Sequence, residues 1–530
     1  MSIGEILGLL IVVATVATVA DRLKVAYPIL MVVAGVVVAV LPVRHRVQLE
    51  PDLILLVFLP PLIYDASLDT SAKELRAHWR PILLLAVGLV LATMAVVAVA
   101  FHHLVPGATW GVAFALGAIV SPPDSVAATQ IAGKLGLPRR LVTILGGEGL
   151  MNDATALTAY QVAVASVGAT VTLAHVVGTF CFAVAAGTAI GLAVGAAGVW
   201  LLRFTQTPVI QNTLLLVLPF AAYLPADRLG ASGVLAVVAA GLVFGRSGAR
   251  RLTAAARVQQ REIWDLIVFL LTGLSFLLVG LELRPIIEHL TTHTSRSLIV
   301  DGLIVVVLVV GVRMAWMFGA TALPGGRHLF SANQGTPATW RETTVVGWAG
   351  MRGAISLAAA LALPQSFADR DLVIFLTFAV IAATLVGQGL TLPPLIRRLG
   401  LISPGDEDLT RTAEIRRRLT VVALAHLDAL GDEGGVPDAV VGRVRMAYEH
   451  QLDHLDRRLD GPAGDGGPDE PTVGPADSVA DLAAERSLRR QVIAAERDEL
   501  ERLVRRRKVS GHVAGEVRAA LDVDETSMRP

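Results

Sequence analysis

Apolar residues in the first 400 positions come in long, nearly unbroken runs. The runs lie near Ile3–Ala20, Val25–Leu41, Leu53–Leu68, Pro81–Leu104, Trp110–Ile131, Leu141–Val167, Val171–Leu202, Pro208–Leu224, Ala231–Phe244, Ile263–Leu283, Leu298–Leu323, Val345–Leu363 and Leu372–Leu395. Most reach the roughly 18 residues that carry a helix across a hydrocarbon core. None alternates apolar and polar positions, as barrel strands do, so the backbone must be satisfied within helices. The pattern predicts an all-α polytopic membrane protein of about 13 transmembrane helices, each boundary good to about 2–4 residues.

After Gly400 the pattern changes and charge rises sharply. Residues 1–400 read as a transmembrane domain and 401–530 as a soluble tail. Within the tail, Gly461–Asp477 is rich in Gly, Pro and Asp and reads as a flexible linker. Leu482–Val504 reads as a charged helix with Glu–Arg pairs at close spacing.

Composition agrees: 54% of residues are hydrophobic and 17% charged, with a mean hydropathy of +0.63. A formal net charge of zero offers no attraction for nucleic acid, and none is expected as a partner. The single cysteine, Cys181, precludes an internal disulfide and reads as a packed helix residue. The first run lacks a basic leader and a small-residue cleavage site, and reads as a membrane helix. His78, His102, His103 and His175 fall in or near loops, either solvated or sensing pH.

Loop charge sets the orientation. With the tail in the cytoplasm, thirteen crossings place the N-terminus outside. Cytoplasmic loops then hold Arg22, Lys24, Lys73, Arg76, Arg80, Lys134, Arg139, Arg140, Arg203, Arg246, Arg250, Arg251, Arg257, Arg261, Arg327 and Arg341. Far fewer basic residues, among them Arg44, Arg46 and Arg284, fall outside. This is the positive-inside bias, in a multi-pass protein expected in the cell membrane.

Several charged residues stand where lipid would be. An ionised group at mid-bilayer costs about 2.5–3.5 kcal/mol on insertion scales, so such residues face the protein interior or a water-filled cavity. Asp124 lies in Ser121-Pro122-Pro123-Asp124-Ser125. Two prolines there remove two amide donors, break the helix and free carbonyls. Freed carbonyls suit a cation, and the new helix N-terminus suits an anion. Asp124 is a cation ligand, an N-cap of the second half-helix, or both.

Glu148 and Asn152 are four residues apart and share a helix stripe, with Asp153 roughly 100° further round. Asp153 falls near mid-membrane, about 18 Å from the start of its helix. A buried carboxylate takes up a proton or a cation but not comfortably both, and that competition is the core of antiport. The alternative is a neutralised structural acid. Arg313 needs a carboxylate, and Glu148 is the expected partner in a structural ion pair. Arg352, flanked by Gly350 and Gly353, marks a second broken helix unless it snorkels to the interface. The two breaks are seven crossings apart, the opposite orientation that inverted repeats require. Asp65, after Pro60 and Pro61, falls near the cytoplasmic end of its helix and on position alone is an interfacial acid.

Three motifs then stand in order: Pro60-Pro61-Leu62-Ile63-Tyr64-Asp65, Gly147-Glu148-Gly149-Leu150-Met151-Asn152-Asp153, and Gly350-Met351-Arg352-Gly353-Ala354-Ile355-Ser356. Together they resemble the monovalent cation/proton antiporter family, in its bacterial sodium/proton exchanger branch, across roughly Ile3–Leu399. Arg505–Asp524 also resembles the C-terminus of bacterial members. The resemblance implies a thirteen-helix fold with inverted repeats and two broken, crossing helices, homodimerisation, and alternating access. It implies sodium and a proton shared at Asp153, with Asp124 beside the ion and Asp65 coordinating it or its path. It implies Glu148 and Arg313 as the stabilising pair and Arg352 in support. Asn152 before the carboxylate resembles the branch that exchanges one sodium for one proton, with consequences for intracellular pH and sodium. Gly149 departs from the serine of many relatives, and Ser125 from the usual proline, which leaves lithium and potassium open as substrates.

Two other classes compete. A proton-coupled carrier of an organic solute wants a larger polar or aromatic pocket, and only 5% of residues are aromatic. A membrane sensor would carry a signalling motif in the tail. The chain has no Gly-x-x-x-x-Gly-Lys-Ser/Thr loop for ATP-driven pumping. The expectation is a secondary transporter, not an enzyme, with no cofactor beyond the transported sodium ion and proton.

Overall fold

Every apolar run becomes helix. A computed structural model describes residues 3–23, 26–40, 51–69, 72–167, 172–248, 251–284, 286, 295–323, 325–331, 337–401, 406–432, 436–460, 479–506, 509 and 511–526. The runs are α1 (Ile3–Leu23), α2 (Tyr27–Val40), α3 (Pro51–Asp69), α4 (Trp79–Leu104), α5 (Trp110–Val120), α6 (Ser125–Lys134), α7 (Arg139–Ser166), α8 (Leu173–Leu201), α9 (Pro208–Arg228), α10 (Gly233–Ser247), α11 (Ala254–Leu281), α12 (Ser295–Ala322), α13 (Trp340–Trp348), α14 (Ala354–Leu361) and α15 (Arg370–Leu399). Among the described residues, six helices are long and apolar enough to cross a membrane by length and composition. The linker Gly461–Asp477, and Lys24, Arg44, Arg46 and Arg250 of the loop charges, lie outside the described residues.

Two runs split, at the expected places. The fifth becomes α5 and α6 about Ser121–Asp124. The twelfth becomes α13 and α14 about Ala349–Gly353. Each first half starts on a threonine cap: Thr109 accepts from Val112 N, and Thr339 forms a capping box with Glu342. Prolines elsewhere do not break helices, since Pro60 and Pro61 sit inside α3. Proline therefore breaks α5–α6 where tertiary partners take up the freed groups.

Close packing rests on small residues. A Cβ at Gly35 of α2 would overlap the backbone of Leu277 on α11, and one at Gly280 would overlap Val32. Backbone-to-backbone approach of this kind holds membrane helices together without a hydrophobic driving force. Cys181 departs from expectation: it is exposed on α8, among the exposed side chains Val177 and Phe182. An apolar run reads as packed whether it faces protein or lipid, because both are apolar. His102 Nδ1 is bonded to Ala108 O at 2.8 Å and its ring stacks on Trp110, a structural role.

Polar contacts join segments expected on one face. Arg140 donates to His328 O at 2.9 Å, Arg341 donates to Leu399 O, and Arg284 donates to Ala39 O.

The chain forms two compact units. One comprises Met1–Thr205, Ile210–Arg251 and Ile263–Ser403; the other Gln206–Val209, Leu252–Glu262 and Pro404–Pro530. The second contains α16 (Asp406–Asp432), α17 (Asp438–Asp460), α18 (Val479–Arg505) and α19 (Gly511–Thr526). Leu419, Ile493, Leu500 and Val517 form one of its cores, and Ala423, Val440, Val444 and Val492 another. In the same unit Asp522 accepts from Arg257 Nε and Nη2 at 2.6 and 2.5 Å and also pairs with Arg497. Leu252–Glu262, assigned from sequence to the membrane domain, thus belongs with the tail helices.

Candidate cation site at two broken helices

The two breaks meet. Asp124 N donates to Met351 O at 2.6 Å, joining the α5–α6 break to the α13–α14 break through the main chain. Asp124 Oδ1 accepts from Val126 N and Ala127 N at 2.9 and 3.3 Å, so this carboxylate caps α6. A Cβ at Gly353 would overlap that carboxylate, so only glycine lets the chains cross here.

The two buried arginines complete the crossing. Arg352 is 1% exposed, which rules out snorkelling. Its Nε and Nη2 donate to Val120 O and Ser121 O at 3.0 and 3.2 Å, its Nη1 donates to Gly350 O, and its main-chain N–H donates to Thr384 Oγ1 at 3.1 Å. The terminal carbonyls of α5 are thereby satisfied by a side chain from the other break. Arg313 does the same for α13, donating to Gly347 O and Val346 O at 3.1 and 3.2 Å. It also forms the expected bidentate pair with Glu148, at 2.5 and 2.9 Å, with both side chains buried.

With both guanidinium groups so occupied, Asp153 is left without a counter-charge. It is 8% exposed and, among the described residues, forms no hydrogen bond or ion pair. Asn152 beside it donates from Nδ2 to Pro123 O at 2.9 Å, a carbonyl freed by the break. Its Oδ1 is buried with no hydrogen bond.

Asp153 and Asp124 line one cavity of about 70 Å³, with Gly149, Leu62, Thr272 and Gly353 among its walls. That is room for about five waters at 10–15 Å³ each. Asp153 also lines a second space of about 10 Å³, on the side of Leu157 and Tyr160. Asp65 does not line either space: Ala66 does, while Asp65 is half-buried one residue earlier on α3. The structure thus brings Asp153, Asp124, Asn152, Glu148, Arg313 and Arg352 together and leaves Asp65 off the cavity wall. Thr384 and Thr272 were missed in the sequence, where a hydroxyl within an apolar run is too common to mark a site.

The arrangement leaves one uncompensated carboxylate, Asp153, on the wall of a small cavity beside the buried amide oxygen of Asn152. Comparison with known proteins agrees. A family model for the transmembrane sodium/hydrogen exchanger matches residues 8–398. An uncharacterized Na(+)/H(+) exchanger of Mycobacterium tuberculosis is 33% identical, over 99% of this chain and 97% of its own length. The low-affinity Na(+)/H(+) antiporter NhaS1 of Synechocystis is 30% identical, over 81% of this chain and 79% of its own. A sodium, potassium, lithium and rubidium/H(+) antiporter of Bacillus pumilus is 32% identical, over 76% of this chain and 62% of its own. The sodium proton antiporter MjNhaP1 of Methanocaldococcus jannaschii shares the fold, with a TM-score of 0.58 at 16% identity over 75% of this chain and 98% of its own. Sequence, fold and relatives converge, and the chain belongs to the sodium/hydrogen exchanger family.

Proposed function

We propose that this protein is a secondary active antiporter that exchanges sodium, or lithium or potassium in its place, for protons across the cell membrane. One observation carries the reading: Asp153 is a buried carboxylate whose two cationic neighbours in the crossing are both committed elsewhere. The low dielectric makes the bare anion costly, so a proton or a cation must occupy it, and each displaces the other.

The roles follow from the contacts. Asp153 holds the shared charge. Asn152 Oδ1 and Asp124 add oxygens beside it, and Asp65 serves the path rather than the innermost site. Glu148 and Arg313 hold α7 against α12 and α13, and Arg352 holds the two breaks together. Because Asn152 adds no second titrating charge, one cation trades for one proton and the cycle moves no net charge. Alternating access switches Asp153 between the larger cavity and the smaller one. The protein acts as a homodimer with the N-terminus outside and the tail in the cytoplasm, regulating intracellular pH and sodium. The pairing of Arg257, a loop charge expected in the cytoplasm, with Asp522 of the tail favours that orientation. The names of the relatives support an alkali cation as cargo and include four candidates.

The test uses purified protein in sealed vesicles with an acid interior and a pH-sensitive dye. Sodium, lithium or potassium added outside should dissipate the gradient, and Asp153→Asn should abolish the response. Under a membrane potential set by a gradient of a permeant anion, sodium-driven flux should be indifferent to that potential. No response to any cation from folded, inserted protein overturns the exchanger reading.

A further inference from the structure

Helical serines and threonines in this protein generally turn their hydroxyls back on their own helix. Ser67 donates to Ile63 O, Thr158 to Ala154 O, Ser275 to Leu271 O and Thr377 to Val373 O, each four residues earlier. That bond satisfies a hydroxyl where no water reaches. Thr272 of α11 departs from the rule. It is 2% exposed, and its Oγ1 is buried with no hydrogen bond. The Tyr27 hydroxyl, which accepts from Gln130 at 3.3 Å, is its polar neighbour.

Thr272 also lines the cavity that holds Asp153 and Asp124. Both carboxylates come from the broken-helix crossing and its neighbour α7, whereas Thr272 comes from α11. That helix is fixed on α1 and α2: Gly273 abuts Val13 and Met31, and Gly280 meets Gly35 backbone to backbone. A buried hydroxyl without a partner is unfavourable, and one on a cavity wall can gain a partner from a cation that enters. A hard cation gathers several oxygens at once. Asp124 has already committed Oδ1 to capping α6, so it has one carboxylate oxygen fewer to offer a cation.

We infer that Thr272 is a specificity-determining residue, supplying a hydroxyl oxygen to the alkali cation from α11, outside the broken helices. The inference rests on the exchanger reading. It places one ligand on a helix that contributes neither break, so cation affinity depends on how α11 stands against the crossing. A proton on Asp153 needs no such oxygen, so the hydroxyl acts on the cation half of the cycle alone.

The experiment compares wild type, Thr272→Val, Thr272→Ser and Thr93→Val in the vesicle assay. Thr93 is the control, since its hydroxyl is also buried and unbonded but lines neither cavity. The apparent KM for sodium, lithium and potassium is read alongside the cation-induced rise in melting temperature of the detergent-purified protein. Loss of one hydrogen-bonding group to a charge predicts a KM for sodium raised about 10-fold in Thr272→Val, with maximal rate within about twofold and a smaller thermal shift. Thr272→Ser should restore KM to within about threefold, and Thr93→Val should leave it unchanged. Wild-type KM and ion order in Thr272→Val overturn the inference. So does a Thr272→Ser variant that fails as badly, because packing of the methyl would then be the cause. Should Thr272→Val not insert, Thr272→Ala set against Thr272→Ser decides the same contrast. A wild type silent to all three cations overturns the exchanger reading instead.

Discussion

A single methyl group measures how tightly the crossing is built. Gly353 faces the Asp124 carboxylate so closely that Gly353→Ala forces the two chains apart. Misplacing a ligand by about 1 Å costs on the order of 100-fold in rate, so transport by this variant should fall at least about 10-fold while the protein still inserts. Vesicle flux and a melting curve check both halves of that statement. The Glu148–Arg313 pair gives a second test. Arg313→Leu leaves a buried carboxylate alone and should destabilise by about 3–5 kcal/mol, whereas adding Glu148→Leu should recover part of the loss. Recovery stays incomplete because Arg313 also holds the carbonyls of Val346 and Gly347. Of these residues, the charged ones were legible in the sequence because charge in an apolar run is rare. Gly353 was legible as a flank of the second break but not as the contact of Asp124, and Thr272 was not legible, because a hydroxyl is not unusual in a membrane helix.

At the scale of elements, each broken helix ends on an arginine donated from elsewhere. Arg352 closes α5 and Arg313 closes α13. Arg352→Gln removes donors from Val120 and Ser121 in a region without water, so α5 should lose about 1–3 kcal/mol of stability for each carbonyl left bare. Faster amide exchange near residues 115–121, with tail exchange unchanged, is the expected signature. In the tail, the Glu496 carboxyl on α18 is pushed up to about 7, first by burial and then by the Asp524 charge. The folded tail therefore holds a proton on Glu496 that the unfolded chain releases near the ordinary carboxylate range. Stability from this group is fully present below about 4.5 and is lost as pH rises through about 7. Amide exchange in α18 of the full chain should accelerate between those limits, and Glu496→Gln should flatten the dependence.

For the molecule as a whole, the predictions concern sidedness and assembly. Fluorescent labelling of a cysteine introduced at Arg257 should occur only from the side that also exposes a C-terminal tag, given the Arg257–Asp522 pair. Labelling from the opposite side would overturn the parity of thirteen crossings. Cross-linking in native membranes should give a species of twice the monomer mass if the homodimer reading holds.

Apolar runs determined the helices, because a bilayer leaves the backbone no other way to be satisfied. Proline pairs and glycines located the breaks, and isolated charges named Asp153, Asp124, Glu148, Arg313 and Arg352 before any coordinates. Apart from the Glu148–Arg313 pair, what the sequence could not decide was pairing across distance. Only the tertiary structure assigns Arg352 to the carbonyls of α5 rather than to the interface, turns Cys181 outward, moves Asp65 off the cavity wall and joins Leu252–Glu262 to the tail helices. The reason is physical: hydropathy reports how a residue is solvated, and lipid and protein interior solvate apolar groups alike. Which neighbour a side chain meets depends on helices hundreds of residues apart, and that is fixed only when they pack.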